Sequence, residues 1–243
     1  MFERVGRGLV LTEAGRDLLD HSRTMGRAAD ALSLAASGQS TAIEGTIRIT
    51  ASDVLSLHFL PPVLKQLKQL APKLIIDVVA ANDIRDLMRR EADIAIRHSR
   101  PDQPELIARL VHEGTAHFYA ASSYLDQRGR PKTSEDIDSH DFVGFGDQEV
   151  MISFARGLGL PLNKSQFRIG SQNGIVAWEL VKQGFGISPM DIRVAERTPG
   201  VERVLDWVEP VRYPYWLTTH RELHTSGKIR LAFDLLADAL AKG

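Results

Sequence analysis

The chain has 243 residues, 43% hydrophobic and 25% charged, with 30 Lys and Arg against 31 Asp and Glu. That length holds one large domain or two small ones, and the composition is that of an ordinary globular protein. Cysteine is absent, which excludes disulfides, thiolate metal sites and a cysteine nucleophile together, and the balanced charge supplies no basic excess for strong nucleic-acid binding.

No apolar run approaches the roughly 20 residues needed to span a bilayer. The N-terminus carries no apolar core behind a basic start, so export is not expected and a cytoplasmic location is. Even the first 30 residues are balanced, with Arg4, Arg7, Arg16, Arg23 and Arg27 against Glu3, Glu13, Asp17, Asp20 and Asp30.

The chain opens on FERVGRGLVL, a short basic hairpin pattern with Gly6 and Gly8, which runs into Thr12-Glu13-Ala14-Gly15. Thr12 suits a helix N-cap, because its hydroxyl can accept an orphan N–H of the first turn. Gly15 stands where a capping box places Glu, so the cap is partial. Leu11, Leu18, Met25 and Leu32 then recur every seven residues, with the small residues Ser22, Ala29 and Ala36 four places after each of the last three. This is a heptad seam, expected to pair with a second copy of itself. From Thr12 to Ser37 it reaches roughly 39 Å at 1.5 Å per residue. Gly38, among Ser37, Gln39 and Ser40, breaks the pattern and reads as a hinge.

The body alternates strands and helices. GTIRITA at 45–51 is a strand pattern ending in Ser52-Asp53. Leu60 to Leu70 is a helix with Pro61 and Pro62 in its first turn and Leu60, Val63, Leu64, Leu67 and Leu70 on one face. LIIDVVA at 74–80 is apolar enough for a strand covered on both faces. A short helix over 83–92 and a buried strand DIAIR at 93–97 follow. Strand–helix–strand–helix–strand implies a parallel sheet with right-handed crossovers. A second set holds strands at 142–145 and 167–169, a helix from Gly170-Ser171-Gln172-Asn173 through Lys182, ended by Gly184 and Gly186, and a return strand at 213–219. A closing helix over 228–240 carries Ile229, Phe233, Leu236 and Leu240 on one stripe.

Four phrases, in this order and spacing, resemble LysR-type transcriptional regulators: LPPVLKQLKQLAPKLIIDV at 60–78, ADIAIRHSRP at 92–101, SQNGIVAWELVKQGFGISP at 171–189 and KIRLAFDLLADAL at 228–240. The opening hairpin and LTEAG resemble the wing and exit helix of that family's winged helix-turn-helix, without the helices that precede the wing. The resemblance implies an α/β fold of two Rossmann-like lobes joined by crossing strands, similar to type 2 periplasmic binding proteins, behind a long linker helix. It places a wing remnant at 1–11, a linker and dimerisation helix with hinge at 12–43, and an effector-binding domain at 44–243. Lobe I would take about 44–118 and 219–243, and lobe II about 119–218. Leu18, Met25 and Leu32 would pair with the same helix of a second subunit. The helix at 60–70 and the closing helix also lend faces to dimer contacts in that family.

In doubly wound sheets ligands bind beyond the carboxyl ends of the strands, often against helix N-termini. Three such places stand out: Ser52-Asp53, Arg97-His98, and Ser171-Gln172-Asn173. The resemblance puts all three in the cleft between lobes, with Ser188-Pro189 and Phe145-Gly146 near the opposite wall. Each has a plainer reading. Ser171 or Asn173 can serve as a helix cap, Arg97 as a partner of a surface carboxylate, and His98 as a packing residue. Asp53 departs from the family, whose members often place a neutral polar group there. An acid beside Arg97 points to an effector carrying both charge signs or to a neutral polar one, unless the two side chains neutralise each other.

Enzyme signatures are lacking. Gly186-Ile187-Ser188-Pro189-Met190 has no closing Gly for a nucleophile elbow. His112 and His117 are one residue too far apart for the zinc-protease motif. His220 and His224 have i, i+4 spacing but fall in a loop-like stretch. Gly157-Leu158-Gly159 neither follows a strand nor opens a helix. No cofactor and no metal is expected.

The expected function is a ligand-responsive regulator that senses a small polar metabolite between its lobes. It would self-associate as dimer or tetramer, meet DNA only through the part before residue 1, and touch no membrane. The alternative is a solute-binding protein of the same fold, serving a transporter.

Overall fold

The computed structural model of the protein describes residues 1–5, 8–12, 14, 15, 17, 18, 21, 22, 25, 43–82 and 92–241. Strands β1 (Phe2–Val5) and β2 (Gly8–Leu11) form the antiparallel hairpin, with Phe2 opposite Leu11 and Val5 opposite Gly8. Thr12 caps the turn that follows: its Oγ1 accepts from the Gly15 N–H at 3.0 Å. Leu18 and Met25 are helical and 50% and 74% exposed. Leu32, the hinge around Gly38 and, save for Ala92, the expected helix over 83–92 lie outside the described residues.

Lobe I is built around β3 (Gly45–Ala51), which pairs in parallel with β4 (Leu74–Ala80) on one side and β5 (Ile94–Arg97) on the other. Ser52 caps the short helix α1 (Asp53–His58), accepting from Leu55 N–H. Helix α2 (Leu60–Leu70) has Pro61 and Pro62 in its first turn, where a missing N–H costs nothing, and buries Leu60, Val63 and Leu67. Pro72 forbids its continuation, and Lys68 donates to the carbonyls of Pro72 and Leu74, both at 2.7 Å. The closing helix α7 (Gly227–Ala241) buries Ile229, Phe233, Leu236 and Leu240 in the same core.

Strand β6 (Leu106–Ala121) is sixteen residues long and belongs to both lobes. Its first part pairs antiparallel with β11 (Val211–His220), which itself pairs with β5. Its last part pairs with β9 (Ser188–Asp191) and β10 (Val201–Val204); Tyr119 faces both Ser188 and Arg203, so these strands lie on opposite edges. Beyond β9, a bridge between Phe142 and Ile187 leads to β7 (Val143–Phe145), which pairs in parallel with β8 (Ile169–Ser171). Helices α3 (Ser122–Arg128), α4 (Gln148–Gly157), α5 (Gly174–Lys182) and the single turn α6 (Ile192–Ala195) complete lobe II. Its sheet has a core on either face, one around Phe142, Leu160 and Ile187, the other around Val143, Trp178 and Val181.

Four expectations need correction. Strand β4 is the edge of its sheet, not a strand covered on both faces: Leu74 is buried, whereas Ile75 is 63% exposed. The apolar run therefore does not report two-sided burial here. The parallel set β4-β3-β5 continues into the antiparallel β11 and β6, so the sheet is mixed. The strand read at 167–169 sits two residues later, at Ile169–Ser171, because Phe167 closes a 3-10 turn from Lys164. His220, read as loop, is the last residue of β11.

Candidate functional site

The two lobes meet where α1 faces α5. Val54 and Phe59 of lobe I pack against the lobe II core around Trp178 and Val181. Asp53, the first residue of α1, is 2% exposed. Its Oδ2 accepts from the Gly174 N–H at 2.5 Å and from Asn82 Nδ2 at 2.9 Å, while Oδ1 accepts from the Val54 N–H at 2.7 Å. Asn82 also takes the Asp53 N–H on its Oδ1 at 3.2 Å and donates to the Gln172 carbonyl at 3.1 Å. Asp53 and Asn82, both of lobe I, thus bind the start of α5 in lobe II. The approach depends on Gly174 having no side chain: a Cβ there would stand 3.0 Å from Val54 Cγ2 and 3.1 Å from Asp53 Oδ1.

The other expected site residues divide. Arg97, at the end of β5, is 5% exposed; its guanidinium donates to Thr50 Oγ1 at 2.8 Å and to the Ile96 carbonyl at 2.9 Å. Next to it His98 places Nδ1 3.3 Å from the Pro214 carbonyl and Nε2 3.5 Å from Ser52 Oγ. A carbonyl only accepts, so Nδ1 carries the proton and Nε2 faces the serine hydroxyl. Burial lowers the His98 pKa, which keeps the ring neutral. Ser52, Arg97 and His98 therefore form one group at the carboxyl ends of β3 and β5.

On the facing side Asn173 is the N-cap of α5, accepting from the Val176 N–H at 3.0 Å, and Ser171 accepts from the Asn173 N–H at 3.0 Å. Gln172 donates to the Gly146 carbonyl at 3.1 Å. Ser188 is buried and donates to the Val143 carbonyl at 3.0 Å, pinning β9 to β7; Pro189 follows it within β9. Ser171 and Gln172 also line a groove of about 310 Å³ with Gly146 and Arg168 on lobe II. A second groove, of about 280 Å³, lies between Asp141, Arg168 and Phe185. Neither includes Ser52, Arg97 or His98.

Residues 40–241 match the family model of the LysR substrate binding domain. The chain belongs to that family. An uncharacterised HTH-type transcriptional regulator of Haemophilus influenzae is 23% identical over 77% of this chain and 66% of its own length. The regulator CrgA of Neisseria meningitidis serogroup C is 25% identical over 46% of this chain and 38% of its own length. The chain thus spans less than two thirds of these curated relatives. Among solved structures, the CrgA regulatory domain from Neisseria meningitidis superposes with a TM-score of 0.72 at 20% identity, covering 81% of this chain and 99% of that one. Full-length AphB of Vibrio cholerae gives 0.70 at 20% identity over 97% and 82%. At these identities the likeness establishes the fold, two lobes of the type 2 periplasmic-binding-protein kind.

Sequence reasoning missed a second polar cluster in this LysR domain, at the crossing strands. Asp191, at the end of β9, is 4% exposed. Its carboxylate receives the Arg193 guanidinium at 3.0 and 3.1 Å, the Tyr213 hydroxyl at 2.6 Å and the Tyr215 hydroxyl at 3.0 Å. Burial pushes the Asp191 pKa up, but the Arg193 and Tyr213 bonds outweigh it and hold it below the ordinary carboxylate value. Burial and the neighbouring acid raise both tyrosines, so they stay protonated donors. Arg193 also stacks 4.2 Å over the Phe59 ring of lobe I, and the His98 ring stands edge-on to Tyr213 and Tyr215, 5.1 Å from each. The cluster links His98 to the strands that cross between lobes. One signal for it was available: Tyr213 and Tyr215 are two apart in a strand, so they share a face.

Proposed function

We propose that this chain is the effector-sensing part of a LysR-type transcriptional regulator. A small polar metabolite is sensed where Ser52, Asp53, Arg97 and His98 of lobe I face Ser171, Gln172 and Asn173 of lobe II, with Ser188 and Pro189 behind. The effector favours one closure angle of the lobes, and it shifts that equilibrium only by its differential affinity for the two states. The helix carrying Leu18, Met25 and Leu32 joins two copies and passes the change to a DNA-binding part before residue 1, of which the hairpin at 1–11 is the wing. The protein works in the cytoplasm, as a dimer or tetramer, and performs no chemistry on its effector.

The observation that carries this reading is the crossing of β6 and β11 between two lobes whose helices α1 and α5 pack against each other. Among the described residues no group of His, Asp and Glu could hold a metal ion, and no helix is long and apolar enough to cross a membrane. That the relatives are named as transcriptional regulators favours this function over solute delivery to a transporter.

The test is a metabolite panel read by scanning fluorimetry, since a ligand of the native state raises its melting temperature, followed by operator binding of the protein together with its DNA-binding part. A metabolite that stabilises the chain and changes operator affinity supports the reading. Stabilising metabolites that leave operator affinity untouched refute it.

A further inference from the structure

The amino end of a helix such as α5 is a natural anion seat, with free N–H groups and the positive end of the helix dipole. In this chain the seat is taken. The Asp53 carboxylate is held at 2.5 Å from the first N–H of α5, that of Gly174, and is itself 2% exposed. Asp53 arrives from the opposite lobe, 121 positions away in the sequence. An independent contact repeats the same bridge: Asn82, also of lobe I, donates to the Gln172 carbonyl just before α5.

The cost of burying that charge is offset on both sides. Oδ1 is bonded to Val54 N–H within lobe I, and Oδ2 to Asn82 Nδ2 and Gly174 N–H. Bonds between a carboxylate and aligned N–H donors are about twice as strong as neutral ones. Removing either partner leaves the other exposed to the desolvation penalty. Gly174 fits the arrangement, because a Cβ would press on both Val54 and Asp53.

We propose that Asp53 is a tethered anion. It fills the anion seat of the interlobe cleft from within the chain and latches the lobes closed. It follows that the effector presents no carboxylate or phosphate to Gly174. The group that meets this seat is neutral and polar, or cationic and drawn to Asp53 itself. This rests on the proposed function only for the word effector; the latch stands or falls by geometry.

The test is chemical rescue in the full 243-residue chain, with acetate as the probe. Wild type and Asp53→Ala are melted in sodium chloride and in sodium acetate at equal ionic strength, and their solution scattering is recorded in both. Asp53→Ala is expected to melt roughly 4–8 °C lower than wild type in chloride, the loss of a charge-assisted bond in a chain of this size. Its scattering should show a larger radius of gyration. Acetate should restore at least half of both changes, while wild type responds equally to the two salts. A folded Asp53→Ala with the wild-type scattering profile and no acetate-specific recovery overturns the latch, as does acetate stabilising wild type equally.

Should Asp53→Ala fail to fold, Asp53→Asn keeps the shape and removes the charge. Its radius of gyration should exceed the wild-type value at neutral pH, and an unchanged radius overturns the proposal. None of these readouts needs operator or effector, so a failed operator assay sinks the regulator reading and leaves the latch standing.

Discussion

The Tyr213 hydroxyl donates to Asp191 at 2.6 Å, and Tyr215, two residues further along β11, reaches the same carboxylate oxygen at 3.0 Å. Asp191 lies on β9, in the sheet of lobe II, whereas both tyrosines lie on the strand returning to lobe I. A buried charge therefore sits at the junction, tied to both directions of the chain.

Breaking that cluster from one side should be costly. Asp191→Asn leaves the Arg193 guanidinium, itself little exposed, without its counter-charge. Unfolding in urea should show a loss of roughly 3 kcal/mol, the scale for removing one partner of a buried pair. Tyr213→Phe should cost about 1.5 kcal/mol, as one hydrogen bond to a charged group does. The double variant should lose less than the sum, because Tyr213 and Asp191 are bonded to each other and each single change already weakens that bond.

Gly114 of β6 lies opposite Tyr213 of β11, and a Cβ there would stand 2.8 Å from ring atoms of both Tyr213 and Tyr215. Gly114→Ala should overpack the junction and destabilise by about 1–3 kcal/mol. The near-ultraviolet circular dichroism of the tyrosines should change with it. A variant as stable as wild type would mean the rings have room to turn.

Acid should weaken the protein in two stages. Burial lowers the pKa of His58, His98, His112, His117 and His140 below the ordinary 6.5. Between the folded and unfolded values the unfolded chain binds more protons, so stability is full above pH 6.5 and falls as pH drops below it. Asp191 is lowered from 3.8, so its contribution persists above that value and is lost on further acidification. Melting temperature against pH should be flat from 7 to 8, slope downward below about 6.5 and steepen below about 4. A melting temperature that rises on acidification from 7 to 5 contradicts the sign.

Self-association through the amino-terminal helix predicts that Leu18→Asp with Met25→Asp weakens the dimer at least roughly tenfold, since each apolar side chain contributes about 1.5 kcal/mol or more when buried. Sedimentation equilibrium checks this. The melting temperature of the body should stay unchanged, because both side chains are exposed within the chain.

The elements with a strong local rule were legible in the sequence. The leucine spacing and paired prolines of α2, the alternation of β3 and the apolar stripe of α7 all fall within a residue or so of where the pattern put them. Thr12 was read as a cap from residue type, and capping was one of two readings of Asn173; the Thr12 hydroxyl accepts from Gly15 N–H and the Asn173 side chain from Val176 N–H. Helices α3 and α4 and strand β10 were not read: α3 and β10 are short, and α4 buries only Ile152 and Ala155, too few apolar positions to mark a stripe. Burial of β4 was misjudged, since an apolar run does not say which neighbour covers it. The Asp53–Gly174 contact and the Asp191 cluster joined residues more than twenty positions apart. Nothing local to either end encodes such a meeting; it follows from the crossing of two strands.

Strand β6 keeps ladder hydrogen bonds to β11 along its first part and to β9 and β10 along its last. A joint of this kind is a torsion ribbon, not a swivel. Turning one half against the other spreads a small change in twist over many peptide units, and the register shift at Tyr215 and Trp216 in β11 is where the ribbon is least regular. Twist shared so widely concentrates no strain at one peptide, so no single substitution within the ribbon should by itself reset the angle between the halves.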